Sequence, residues 1–151
     1  MQNLNKHNQV KVFIEYGNDG QYESCWAFDL GKGNLVIDNV PLFAYGISAE
    51  DVVLATKREG NWFYEKVIKK GGHSTYRIFL NENKTESDFM KYWEGFKKLG
   101  CSFEGFNNRL IAIDIPPGVD INNAENELHK GYKDKIWIYE RANIEHKNSK
   151  E

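Results

Sequence analysis

The chain has 151 residues, 20 basic and 22 acidic side chains, 40% apolar residues and 14% aromatic ones. That length fits one domain or two very small ones sharing a core, and the aromatic share excludes a disordered chain, since disordered segments are aromatic-poor. The near-balanced charge is spread over both halves and supplies no basic stripe of the kind a dedicated DNA binder needs to displace counterions from phosphate.

Residues 1–9 are polar and Asn-rich and read as a disordered tail. A β-rich subdomain is expected over 10–70. Val10–Tyr16 is β-branched and aromatic, and Gly17-Asn18-Asp19-Gly20 is a turn. Glu23–Leu30 and Leu35–Asp38 flank the tight turn Gly31-Lys32-Gly33-Asn34 and form a hairpin. Pro41 ends that run because it has no N–H for a ladder. Val52–Thr56 and Trp62–Ile68 are two more strands about the turn Arg58-Glu59-Gly60-Asn61. Short strands at this spacing predict a small barrel or a strongly bent sheet.

Lys69-Lys70-Gly71-Gly72 reads as a linker, and a second subdomain is expected over 71–141. Ser74–Leu80 is a strand. Thr85 with Asp88 three residues on is a capping-box start, Phe89, Trp93, Phe96 and Leu99 recur at helical spacing, and Gly100 suits a left-handed stop. Cys101–Phe106 and Leu110–Ile115 are strands joined by Asn107-Asn108. Asp120 caps a second helix carrying Ile121, Ala124 and Leu128, which Gly131 is expected to end, and Lys135–Glu140 is a last strand. The order βαββαβ predicts a ferredoxin-like unit. Residues 142–151 read as a polar tail. The fold class is therefore α+β, a β-rich N-terminal half packed on a ferredoxin-like C-terminal half.

The blocks Trp26…Leu30…Gly33, Ile37-Asp38-Asn39-Val40-Pro41-Leu42-Phe43-Ala44, Gly46-Ile47-Ser48…Asp51-Val52-Val53, Gly72-His73-Ser74-Thr75…Arg77 and Leu99-Gly100-Cys101…Glu104-Gly105 carry a further signal. Their residues and spacing resemble the bacterial domain of unknown function 4265, from about Val10 to Tyr139. The resemblance implies a small bacterial protein and no particular reaction. Small proteins of this kind are associated with toxins as their immunity proteins, which makes that role an expectation by association.

The densest polar cluster is Gly72-His73-Ser74-Thr75-Tyr76-Arg77, where His73 can titrate near neutrality and Arg77 can clamp a carboxylate or phosphate. The same pattern also serves to satisfy backbone groups where two subdomains meet. Cys25 and Cys101 lie in predicted strands with no base placed beside either, form no CxxC pair, and cannot make a structural zinc site alone. Asp38-Asn39 before Pro41 reads as turn chemistry, since one carboxylate falls far short of a calcium loop. Gly31-Lys32-Gly33 lacks the phosphate-loop pattern. Trp62, Phe63 and Tyr64 are consecutive, so both faces of that strand carry an aromatic. Asp120, Glu125 and Glu127 give the second helix an acidic start, which its dipole explains and a basic toxin surface would also suit.

The expectation is a non-enzymatic protein-binding module, an immunity protein that neutralises a co-encoded toxin. Its candidate binding residues are Trp62, Tyr64, His73, Ser74, Arg77, Glu104 and Phe106, with no catalytic residue, metal or cofactor called for. A protein partner is expected, and neither membrane nor nucleic acid. The alternative is a small-molecule or nucleotide-sensing domain binding at Gly72–Arg77. A hydrolase or nuclease using His73 and Glu104 ranks third, and it requires those two side chains to share a cleft. With no apolar leader and no run of 18 apolar residues, the expected compartment is the cytoplasm.

Overall fold

Alternation decides which side chains enter the first core. In β1 (Gln9–Tyr16) Val12 and Ile14 point inward, and in β2 (Gln21–Gly31) Cys25 and Ala27 do, leaving Trp26 outside. Leu35 and Ile37 of β3 (Asn34–Ile37) and Val53 and Ala55 of β4 (Val52–Arg58) complete the same cluster, on which Trp62 and Tyr64 of β5 (Asn61–Lys69) pack. A computed structural model supplies this description for residues 8–105, 107 and 109–147. The five strands pair antiparallel in chain order, and β1 returns to β5 in parallel through Val12–Trp62 and Phe13–Phe63, so the ring of pairing closes.

The second sheet runs in the order β7-β8-β6-β9, every neighbour antiparallel, with β6 at Ser74–Leu80, β7 at Ser102–Gly105, β8 at Leu110–Ile115 and β9 at Trp137–Asn143. Helix α1 (Glu86–Leu99) begins where the Asp88 carboxylate accepts the Thr85 N–H at 2.8 Å and ends at Gly100, whose φ of 102° favours glycine. Helix α2 (Ile121–Lys133) begins where Asp120 accepts the Asn122 N–H at 2.8 Å. Phe89, Trp93 and Phe96 from α1 and Ala124 and Leu128 from α2 meet Tyr76, Ile78, Ile113 and Trp137 in one core. The chain is thus α+β and strand-rich, with two sheets and two helices among the described residues.

Several boundaries differ from expectation. Gly131 does not end α2, which continues to Lys133. The glycine is required because a Cβ there would lie 2.1 Å from the ring of buried Trp137. Cys101 precedes β7 rather than opening it, and Phe106 and Asn108 lie outside the described residues. The C-terminal tail is not loose over 142–147. Ala142 and Asn143 belong to β9, and beyond them Glu145 and His146 are hydrogen-bonded to Ser74 and Pro116. At Lys69–Gly72, read as a linker, Lys69 ends β5 and the residues after it are a short connection held by hydrogen bonds. Gly71 donates to Asp51 and Gly72 to Glu145, each at 2.9 Å, and a Cβ on Gly71 would stand 2.6 Å from the Glu50 carbonyl oxygen. None of the described helices is long and apolar enough to cross a membrane.

Candidate functional site

The segment 38–51 links β3 to β4 and reaches the second sheet, and backbone carbonyls serve the N–H groups of Asp38, Gly46, Glu50 and Asp51 but not those of residues 40 and 42–44. A buried N–H without an acceptor is costly, so side chains must supply the acceptors. Glu23 takes the N–H groups of Leu42, Phe43 and Ala44 at 2.9, 2.8 and 2.6 Å. Glu104 takes the Val40 N–H at 2.7 Å and the Asn39 side-chain amide at 3.0 Å, while Asn39 Oδ1 accepts the Trp26 N–H. Glu104 is therefore spent on holding a loop. His73 keeps different partners, Asp114 and Glu50.

His73 is the centre of the junction. Its Nδ1 lies 2.8 Å from Asp114 Oδ1 and its Nε2 2.5 Å from Glu50 Oε2. Carboxylates only accept, so both ring nitrogens donate and the ring is an imidazolium. The Asp114 hydrogen bond raises the His73 pKa, outweighing the opposing effect of burial, and Glu50 adds to the rise. Ser74 is fully buried and accepts from the Glu145 and His146 N–H groups at 2.9 and 3.1 Å. His146 Nε2–H donates to the Pro116 carbonyl at 2.9 Å, so Nδ1 is the acceptor for the Ser74 hydroxyl at 2.6 Å. With both lone pairs occupied, the Ser74 oxygen has none left for nucleophilic attack.

Arg77 projects from the middle strand of the second sheet and is 1% exposed. Its Nε donates to Glu140 at 3.1 Å and its Nη2 to the Ala44 carbonyl at 2.9 Å. The Tyr45 ring covers it at 4.5 Å, and Tyr45 Oη donates to Glu140. Nη1 has no hydrogen-bond partner. Beside it Ser48 and Thr75 exchange a hydroxyl hydrogen bond at 2.7 Å. The whole run His73–Arg77 is thus buried and faces other parts of the chain.

Both thiols are buried. Burial, with Glu23 and Glu104 nearby, pushes the Cys25 thiol far up, and burial with Asp114 pushes Cys101 up to about 12. Neither is a thiolate at neutral pH, so neither is poised as a nucleophile. Among the described residues no group of three or more His, Cys, Asp or Glu side chains could hold a metal ion.

Of the consecutive aromatics, Trp62 and Tyr64 pack against the first core, because β5 alternation points them at it. They are supports rather than exposed anchors, and Phe63 occupies the opposite face. There it meets Phe13 at 5.7 Å and Tyr22 at 5.8 Å, with the Arg58 guanidinium 4.0 Å from its ring centre. Tyr22 is 44% exposed and Trp26 42%, and Lys11 stands 5.1 Å over the Trp26 ring. Sequence reasoning missed this patch, although the alternation of Tyr22 with Trp26 in β2 and of Lys11 with Phe13 in β1 was the available signal. Phe106 lies outside the described residues.

A family model described as a domain of unknown function (DUF4265) matches residues 23–139. No curated protein matches the chain. Among solved structures, the crystal structure of a hypothetical protein from Neisseria gonorrhoeae resembles it over 95% of this chain and 100% of that one, with a TM-score of 0.72 and 18% identity. Identity at that level speaks for a shared fold.

Proposed function

The chain belongs to the domain of unknown function 4265 family, and on that premise we propose that it is a non-enzymatic protein-binding module of the cytoplasm, an immunity protein that covers a co-encoded toxin. The outward face of the first sheet, where Tyr22 and Arg58 meet Phe63 and where Trp26 stands further along β2, is the observation that carries this reading. Tryptophan, tyrosine and arginine dominate the energetics of protein interfaces, and here they sit on rigid strands. A partner seated there would bury roughly 1,000 Å² or more in all. The polar cluster at His73–Arg77 supports the same reading by elimination, since its groups are occupied internally and buried. The alternative, a ligand-sensing domain binding at Gly72–Arg77, would have to displace those partners.

The architecture belongs to the proposal too. The order β7-β8-β6-β9 with helices between β6 and β7 and between β8 and β9 supports a ferredoxin-like second half, and the pairing of β1 with β5 supports a small barrel for the first.

The test is co-expression of this chain with each neighbouring reading frame of its own genome. The proposal expects one frame to be toxic alone and tolerated with this chain, and expects Trp26→Ala or Arg58→Ala to lose the protection while the variants remain folded. Protection by no frame, or protection undiminished in the Trp26→Ala, Arg58→Ala double variant, would overturn it.

A further inference from the structure

The polar groups joining residues 144–147 to the junction are titratable on both sides. We infer that the segment Ile144–Lys147 is a proton-operated strap, fastened across the junction at mildly acidic pH and released as the solvent turns alkaline.

The geometry comes from Glu145, whose side chain is 1% exposed. Its Oε1 accepts the Gly72 N–H at 2.9 Å and its Oε2 the Asn143 side-chain amide at 2.7 Å. The same carboxyl meets Asp51, a fully buried residue just before β4 that accepts the N–H groups of Ser48 and Gly71, each at 2.9 Å. Two carboxyls buried against each other attract when one proton lies between them and repel when none does. Lys70 is the cation nearest Glu145, at 3.6 Å, but its side chain is 56% exposed, so water weakens its attraction. Burial first, and contact with Glu145 second, push the Asp51 carboxyl up to about 7.

His73 adds a second proton at the same place. Its imidazolium ties Glu50, the neighbour of Asp51, to Asp114 of β8, and loss of its charge would leave those two carboxylates unbridged. The ring is adjacent in sequence to Ser74, which holds the Glu145 and His146 N–H groups. The other charged or titratable groups facing this region are Asp38 near Glu50, Tyr64 of β5 near Asp51, and His146 and Lys147 of the strap itself. His146 fastens the strap through two hydrogen bonds, accepting from the Ser74 hydroxyl and donating to the Pro116 carbonyl.

The signs agree. A raised carboxyl pKa means that the fastened form keeps a proton which the free carboxyl, with its ordinary value near 4, has already lost. That preference fades as pH climbs toward 7. A raised histidine pKa gives stabilisation that is complete below about 6.5 and lost as pH rises through the higher value. Both therefore fasten the strap at mildly acidic pH and loosen it through neutrality. Release would also open a cleft of about 630 Å³, because Ile144, His146 and Lys147 wall it opposite Tyr76, Glu125 and Arg141.

The experiment is backbone amide relaxation by nuclear magnetic resonance on the full chain at about pH 5.5 and 8.5. Order parameters for Glu145–Lys147 should fall from ~0.85 to below about 0.6 across that range, while those of α1 stay unchanged. Glu145→Gln, whose oxygen still accepts the Gly72 N–H and whose amide donates to Asp51 without the shared proton once the Asn143 amide turns its oxygen toward it, should keep the strap ordered at the higher pH. Unchanged order of Glu145–Lys147 in the natural chain would overturn the inference, and so would a pH step of full size in Glu145→Gln. Should that variant fail to fold, the natural chain alone decides, with the His73 ring signals showing whether the imidazolium loses its proton over the same interval.

Discussion

Gly131→Ala offers a test in which two physical effects oppose each other. In an open helix the substitution stabilises by about 1 kcal/mol, because glycine has the greater backbone freedom to lose. Here α2 crosses Trp137 so closely that the new Cβ would lie 2.1 Å from two ring carbons. Trp137 is fully buried among Phe89, Tyr92 and Phe96, and its indole N–H donates to the Leu128 carbonyl at 2.9 Å. The ring has nowhere to retreat. Overpacking of this severity costs about 3 kcal/mol, and a ring shift that loses the indole hydrogen bond about 1 more. Set against the helix gain, the net is a destabilisation of about 3 kcal/mol, or a fall in Tm of roughly 6–12 °C for a domain of this size. Calorimetry of the purified variant measures it. A Tm equal to or above that of the natural chain would show that helix propensity wins, and would refute the close crossing of α2 over Trp137.

Other substitutions probe the junction and the patch. Glu23→Gln keeps the shape but removes the charge that three N–H groups of segment 42–44 share, and should cost about 2 kcal/mol by urea unfolding, with a loss under 0.5 kcal/mol counting against the clamp. Arg77→Met should destabilise less than Arg77→Ala, because it fills the space under Tyr45 while both leave the Ala44 carbonyl without its donor; equal losses would show that packing there contributes little. The natural chain should lose stability as pH rises from about 6.5, and His73→Gln should flatten that decline, since the raised pKa of the imidazolium contributes it; a decline of unchanged size would place the effect elsewhere. Native Cys25 and Cys101 should resist alkylation at about pH 8 and react only on unfolding, whereas prompt labelling would contradict their burial.

The elements with strong local signals were legible from sequence. Thr85, Asp88 and Gly100 bracket α1, and its stripe of Phe89, Trp93 and Phe96 is buried as the spacing requires. Asp120 likewise marks the start of α2. What was not legible depends on distant contacts. Gly131 looks like a stop signal until Trp137 is seen against it. The polar residues 144–147 read as a tail because their partners, Ser74, Gly72 and Pro116, lie about 30 or 70 positions away in the chain. Trp62 and Tyr64 drew attention as a run, but only the register of β5 with β1 and β4 shows that Phe63 is the ring facing out. Glu104 gave no hint that its role is to receive the backbone of Val40.

The claim that this chain works by binding another protein is tested most directly by a tagged pull-down from the native host, read by mass spectrometry. The account predicts one stoichiometric protein partner, lost when Trp26 and Arg58 are both replaced by alanine. Recovery of the folded chain with no protein partner would contradict it.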